Sequence, residues 1–373
     1  MKKILFFIES LSGGGAEQVL VTFLRHLDYT RYDVTLMTVS DTGVHVDDID
    51  YNKVHYRSLL PATENPVRNF WHKVKYKLIY HYLPASWVAR WVIPSGYDTY
   101  IAFVEGYCTK IVSQMLADRK RIAWVHTNLH TNAWPLQQGI YNSFKEEQEC
   151  YRQYNKVVCV SHAVEHIMRE YYHLGNVTTI YNPIDTDYIN YLAGMETVFV
   201  PSKDFNLVSV GRLVPQKGYD LLIPIIARLR EEGLFVSLYI LGEGEERRRL
   251  ELLIEHYALK SYVHLLGYQT NPHAIVQKMD LFVCSSRAEG YSLAIAEALA
   301  IGVPVVSTNC SGPNELLGNN QYGILCNDYD DLYVQIKNVI ENPELLLKIP
   351  RRTFNRKDVL NIENALEQMI EIL

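Results

Sequence analysis

Two glutamates, Glu289 and Glu297, stand eight positions apart in the stretch Ala288–Ala300, which reads Ala-Glu-Gly-Tyr-Ser-Leu-Ala-Ile-Ala-Glu-Ala-Leu-Ala. Ahead of it, Asp280-Leu281-Phe282-Val283-Cys284 has the apolar run of a short buried strand, and from Ser292 the residues are strong helix formers. The pattern predicts strand, turn and helix, with Glu289 and Gly290 in the turn, Ser292 at the N-cap and Glu297 one turn after Leu293. Amides near Tyr291, Ser292 and Leu293 then point at whatever lies before the helix, where the dipole favours an anion such as pyrophosphate. A carboxylate is suited to accepting hydrogen bonds from hydroxyls. A nucleotide-sugar offers both a diphosphate and hydroxyls.

Arg212 and Lys217 lie in Gly211-Arg212-Leu213-Val214-Pro215-Gln216-Lys217-Gly218, directly after the strand-like Leu207-Val208-Ser209-Val210. A guanidinium grips two phosphate oxygens and an ammonium adds a compact charge, which suits a departing diphosphate. Near the start, Gly13-Gly14-Gly15 stands between an apolar run and the helical pattern Ala16–Leu27, where glycines let the backbone approach a ligand. A dinucleotide fingerprint requires a further glycine where Gln18 stands, so an oxidoreductase reading loses its support. His126 ends the run Ile122–Val125, at the carboxyl end of a parallel strand, where open α/β sheets bind ligands; His130 follows close by. His162-Ala163-Val164-Glu165-His166 spells a zinc-protease motif but has no evident third ligand. Asp-x-Asp, a cation-holding pattern elsewhere, occurs at Asp48/Asp50, Asp185/Asp187 and Asp328/Asp330, scattered without strand-end context.

The glutamate pair, Gly211–Gly218, Leu241-Gly242-Glu243-Gly244, Leu266-Gly267 and Gly302-Val303-Pro304-Val305-Val306 follow one another in an order that resembles the retaining glycosyltransferases of GT-B fold, specifically glycosyltransferase family four. The mark of that family is a glutamate, seven residues and a second glutamate, here Glu289 and Glu297. The resemblance implies an α/β fold of two Rossmann-like doubly wound domains facing across a cleft. It implies that Gly14 and Gly15 face the donor diphosphate and the acceptor, that His126 contacts the donor sugar and supports the transfer, and that backbone at Gly267 and Tyr268 contacts the base. Glu289 is expected on the sugar and Glu297 on the ribose, with Gly290, Tyr291, Ser292 and Leu293 completing the donor set. Glu289, His126, Arg212 and Lys217 are the expected catalytic residues. No metal and no cofactor are expected, because Arg212, Lys217 and a helix N-terminus supply the positive charge a leaving diphosphate needs.

The elements that would position these residues alternate along the chain. Strands are expected at Lys2–Ile8, Asp33–Val39, Tyr97–Glu105, Ile122–Asn128 and Val157–Ser161, the last leading through Ser161 as N-cap into a helix. After the stiff exit Asn182-Pro183-Ile184-Asp185, which resembles the family's interdomain hinge, the expected order is strand 207–210, helix Leu221–Arg230, strand Phe235–Leu241, helix Glu245–Tyr257, strand Val263–Leu266, and later helices Tyr329–Glu341 and about Val359–Ile372. This gives an N-terminal acceptor-side domain over 1–184, a nucleotide-sugar-binding domain over 185–355, and a last helix, 356–373, which in the family crosses back to the first domain. A chain of 373 residues with 48% hydrophobic and 21% charged residues has the composition of a globular protein with two cores. Its net charge of −6 argues against nucleic-acid binding. None of the six cysteines forms a CxxC pair, which points to reduced thiols in a cytoplasmic protein.

From Asn65 to Tyr97 there is no acidic residue, while Arg68, Lys73, Lys75, Lys77 and Arg90 alternate with Phe70, Trp71, Tyr76, Tyr80, Tyr82, Trp87 and Trp91. Val67, Trp71, Val74, Leu78 and Tyr82 recur at helical spacing. Such a helix either lies on an anionic membrane surface or packs on the sheet with a charged outer face. The expected function is transfer of a sugar, from a UDP-sugar, to a lipid-linked saccharide for bacterial surface polysaccharide, by a protein peripheral on the inner face of the cytoplasmic membrane. A nucleotide-sugar 2-epimerase of the same architecture is the alternative.

Overall fold

The computed structural model describes residues 1–348 and 360–373. They fall into two compact units, Met1–Pro183 with Glu363–Leu373, and Ile184–Ile362. The boundary expected at 355/356 and the helix start expected near Val359 lie outside the described residues.

In the first unit the described strands are β1 Lys2–Ile8, β2 Tyr32–Ser40, β3 Val54–Leu60, β4 Thr99–Ala102, β5 Lys120–Val125, β6 Lys156–Cys159 and β7 Val177–Thr179, in the spatial order β3-β2-β1-β4-β5-β6-β7. Every pairing is parallel. Ile4 to Ile8 of β1 are buried without alternation, the mark of a strand covered on both faces. Phe6, Phe23, Phe103 and Trp124 pack ring to ring with centroids 4.9 to 6.2 Å apart, joining the helix Gly15–His26 to the sheet. The helix Ile362–Ile372 buries Ala365 and Met369. Its end is tied to β4 by Thr99 Oγ1, which donates to the Leu373 carbonyl at 3.0 Å.

In the second unit β8 Phe205–Val210, β9 Val236–Leu241, β10 Val263–Gly267, β11 Leu281–Cys284, β12 Val305–Thr308 and β13 Ile324–Cys326 lie in the order β10-β9-β8-β11-β12-β13, again all parallel. Leu222, Ile226 and Leu229 of the helix Tyr219–Glu231 pack with Leu207, Leu238, Ile240 and Leu281 in its core. Two of the Asp-x-Asp pairs are helix caps: Asp185 accepts from the Tyr188 amide at 2.9 Å and Asp328 from the Asp331 amide at 2.8 Å.

The segment after β3 departs from a packed amphipathic helix. Asn65 caps the helix Pro66–Lys77 by accepting from the Val67 and Arg68 amides, yet no residue of that helix is buried. Phe70 and Trp71 are each 61% exposed. Its contact with the sheet includes a lysine, Lys75, whose Nζ donates to the Leu59 carbonyl at 2.8 Å. The chain is anchored again by Tyr80, which stacks between Tyr76 and Tyr107 at 4.2 and 3.9 Å, and by Val88 and Ala89, which are buried in the helix Ala85–Trp91.

Candidate functional site

Each sheet has one place where neighbouring strands send their connections to opposite faces, leaving a crevice at the carboxyl edge: β1/β4 in the first unit and β8/β11 in the second. The sequence-singled loops sit at these two places. In the second unit, Gly211–Gly218 leaves β8 and Ser285–Ser292 leaves β11. The two loops are laced together. Ser285 Oγ donates to the Lys217 carbonyl (2.8 Å), Gln216 Nε2 to the Ala288 carbonyl (2.7 Å), and the Arg287 amide to the Gln216 carbonyl (2.8 Å). Gly218 has φ +67°, and a Cβ there would lie 2.1 Å from the Ser285 oxygen, so only glycine allows this approach.

The lacing brings Lys217 Nζ to 2.6 Å from Glu289 Oε1, and Ser286 Oγ donates to the same oxygen at 2.7 Å. Glu289 is only 7% exposed. Burial draws the Lys217 ammonium down, but the Glu289 charge beside it outweighs this and holds the lysine above its ordinary value. The turn is backed by the helix Ser311–Leu317, where the Gly312 amide and Ser311 Oγ both donate to the Glu289 carbonyl (3.1 and 3.2 Å). A Cβ on Gly312 would meet Gly290 and Tyr291 backbone at 2.9 Å.

The helix Leu293–Ile301 begins at the predicted place. Ser292 occupies its N-cap position but its hydroxyl makes no bond to the first turn, so the Leu293 end has no side-chain cap. Glu297 is buried on that helix, with Oε2 3.4 Å from Nε2 of His273. Arg212 leaves the same strand end as Lys217, is exposed, and makes no ion pair among the described residues. At the end of β10, the Gly267 carbonyl accepts from the Gly242 amide at 2.8 Å, and Tyr268, the next residue, is 51% exposed. The second unit therefore gathers Lys217 and Glu289 into direct contact and places Arg212, Gly267, Tyr268, Gly290, Tyr291, Ser292, Leu293 and Glu297 on strand-end loops or the helix that follows.

In the first unit Gly14 and Gly15 lie after β1, Gly14 as N-cap of the helix Gly15–His26. His126 follows β5. Its Nε2–H donates to the Phe103 carbonyl at 2.9 Å, leaving Nδ1 as the acceptor nitrogen, and burial pulls its pKa down to about 4. Glu105, just past β4, clamps this loop: its Oε1 accepts from the His126 and Thr127 amides at 2.5 and 2.6 Å. Burial pushes Glu105 up to about 7. His130 is exposed, with its ring against Tyr171 at 4.5 Å, away from this clamp's bonds. Of the zinc-like motif, Glu165 is taken by Arg169 at 2.7 Å and by Thr179 Oγ1. Ser161 caps that helix through the Val164 amide.

Glu105, Ser286, Gln216 and His273 were not singled out from the sequence. Glu105 and Ser286 carried a signal, since both stand within three residues after an apolar strand run.

Two family models match the chain, Glycosyltransferase Family 4 over residues 13–188 and Glycosyl transferases group 1 over residues 195–356. The chain belongs to glycosyltransferase family four. It is 28% identical, over 92% of each chain, to the Campylobacter jejuni N-acetylgalactosamine-N,N'-diacetylbacillosaminyl-diphospho-undecaprenol 4-alpha-N-acetylgalactosaminyltransferase. It is 35% identical to the putative colanic acid biosynthesis glycosyltransferase WcaL of Escherichia coli over 36% of this chain and 35% of that one. Among solved structures, HepE of Anabaena in complex with UDP matches with TM-score 0.74 at 18% identity, over 100% of this chain and 99% of its own. Sucrose-phosphate synthase of Thermosynechococcus elongatus matches with TM-score 0.76 at 16% identity, over 100% and 98%. The fold is GT-B, with two Rossmann-like units, and the protein is a glycosyltransferase.

Proposed function

We propose that this glycosyltransferase moves a sugar from a UDP-sugar to a lipid-linked saccharide, with retention at the anomeric carbon, in the synthesis of a bacterial surface polysaccharide. The observation that carries the donor side is the Lys217–Glu289 contact beside a helix whose first turn has no side-chain cap. A half-buried, fully charged lysine and free helix polarity favour a diphosphate, and both stabilise it most as negative charge develops on leaving. Arg212 adds the second cation. Glu289 holds the sugar and Glu297 the ribose, Gly267 and Tyr268 border the base, and Gly14 and Gly15 let the backbone approach the diphosphate. His126, neutral at physiological pH, offers Nδ1 to a sugar hydroxyl and so supports the transfer. With cationic side chains in place, the leaving group requires no metal. The complexes of HepE with UDP and with UDP-glucose support a UDP-sugar donor, and the Campylobacter relative, named for a diphospho-undecaprenol acceptor, supports a lipid-linked one.

Such an acceptor stays in its bilayer, since each exposed methylene costs about 0.8 kcal/mol, and the enzyme comes to it. No helix of the described residues is long and apolar enough to cross a membrane. The unburied helix Pro66–Lys77 and the exposed Trp87 and Trp91 supply a surface instead, with Arg68, Lys73 and Lys77 on the same helix and Arg90 over the Trp91 ring. Aromatic rings at headgroup depth and cations against anionic lipid make this a docking face for the inner leaflet of the cytoplasmic membrane. The test of function is incubation with a panel of nucleotide-sugars, with and without membrane lipid extract, following nucleotide release and the anomeric configuration of the product by NMR. Extract-dependent release from a UDP-sugar with retained configuration is expected. A change in the sugar without any acceptor would replace this reading by epimerisation.

A further inference from the structure

His273 is 7% exposed, and neither ring nitrogen has a hydrogen-bond partner among the described residues. A buried imidazole left so is costly and calls for an explanation. Its place is fixed by the residue two before it: the Asn271 side-chain Nδ2 donates to the Leu192 carbonyl at 2.8 Å, and the short helix His273–Val276 starts two residues later. From there Nε2 looks at Glu297 Oε2 across 3.4 Å, somewhat beyond hydrogen-bond length, and Glu297 is itself buried. His273 thus faces Glu297, which stands on the helix that opens from the Glu289 turn, without a hydrogen bond from its ring to the carboxylate.

We infer that His273 is a positioning residue for Glu297: as a ribose engages one carboxylate oxygen, the Nε2–H closes on the other and fixes the carboxylate's orientation. The inference rests on the donor reading above, in which Glu297 holds the ribose. A hydrogen bond to a charged group in a buried site is directional and strong, so a small closure sets which way Oε1 faces. The imidazole contributes to discrimination between ribose and deoxyribose without touching the nucleotide.

The test is calorimetric titration of the full chain with UDP and with dUDP, which lacks the 2′-hydroxyl. Wild type is expected to prefer UDP by about tenfold, the value of one charged hydrogen bond. Glu297→Gln should abolish the preference. His273→Phe, apolar and of similar volume, should reduce it to near that of Glu297→Gln, whereas His273→Gln, whose amide nitrogen falls near Nε2, should keep it within about threefold of wild type. Adding His273→Phe to Glu297→Gln should cost nothing more, because the pair acts as one unit. A folded His273→Phe that keeps the full preference, while Glu297→Gln loses it, overturns the inference and leaves the donor reading standing. If Glu297→Gln keeps the preference, or UDP does not bind wild type, both fall. Should His273→Phe fail to fold, His273→Asn takes its place: Asn puts its amide near Nδ1, facing away from Glu297, so equal preference in the Gln and Asn variants overturns the inference.

Discussion

Lys217 Nζ and Glu289 Oε1 lie 2.6 Å apart, although the two residues arrive on loops from different strands. The contact ties a cation at the end of β8 to a carboxylate at the end of β11. Any diphosphate that binds there shares the lysine with Glu289, so donor binding and the setting of Glu289 are coupled.

Lys217→Ala should lower kcat as well as raise KM, with a combined loss in kcat/KM of about 10²-fold or more, because its charge matters most as the diphosphate departs. Steady-state kinetics with a varied donor checks this. An unchanged kcat would reduce the lysine to ground-state binding.

Unit 1 should lose stability as pH rises through the weakly acidic range. Burial pushes Glu105 and Glu147 up to about 7 from an ordinary value of 4.5, so the folded state keeps their protons after the unfolded chain has lost them. Stability from these groups is therefore full below the ordinary value and falls by up to about 1.4 kcal/mol per pH unit for each until it levels off near the folded value. His126, pulled down to about 4, acts with the opposite sign below its ordinary value of 6.5, and the two carboxyls outweigh it. Glu147→Gln removes one carboxyl that has a single partner, the Tyr172 hydroxyl at 3.0 Å, and relieves Glu105 of a like charge. Its melting temperature should fall less than that of wild type between about pH 5 and 7. Parallel curves would show that these acids do not set the slope.

Wild type should sediment with anionic vesicles at low salt and be released as salt rises, at roughly 1 kcal/mol for each basic residue near the surface. The combined variant Arg68→Glu, Lys73→Glu and Lys77→Glu should stay in the supernatant. Equal pelleting of both, or of neither, would remove the docking face, and a soluble acceptor would become the better reading.

In the proposed scheme Arg212 and Lys217 supply the positive charge, so activity should survive EDTA. Complete loss, restored by manganese or magnesium, would overturn the metal-free scheme.

Much of this was legible in the sequence because parallel strands and their loops are local signals. The helix Tyr329–Glu341 has the bounds its pattern predicts, and the turn and helix around Glu289 lie where the apolar run and helix formers place them. The strands missed were β3, an edge strand with polar residues on one side, the four-residue β12, whose Val305 and Val306 were read only as part of a motif, and the three-residue β7 and β13, all three too short for any period to register. Helical spacing at Val67, Trp71 and Val74 was real, but periodicity states that a face is apolar and not what covers it; here the described residues leave none of the helix buried. The roles of Glu105 and His273, though Glu105's position carried a signal, stayed hidden for another reason. Their meaning depends on partners, His126 and Glu297, that only the sheet order brings alongside.

The lacing of Gly211–Gly218 to Ser285–Ser292 bears on how this protein can be altered. Gln216, Lys217 and Gly218 each meet a specific atom of residues 285–289, and a side chain at Gly218 is blocked by backbone of the other loop. A chimera that imports one loop from a homologue while keeping the other will mismatch these contacts at once. With the donor bound as proposed, its preference is exchangeable only as a two-loop cassette, and natural variants should inherit the pair together, although some seventy residues of chain separate its halves.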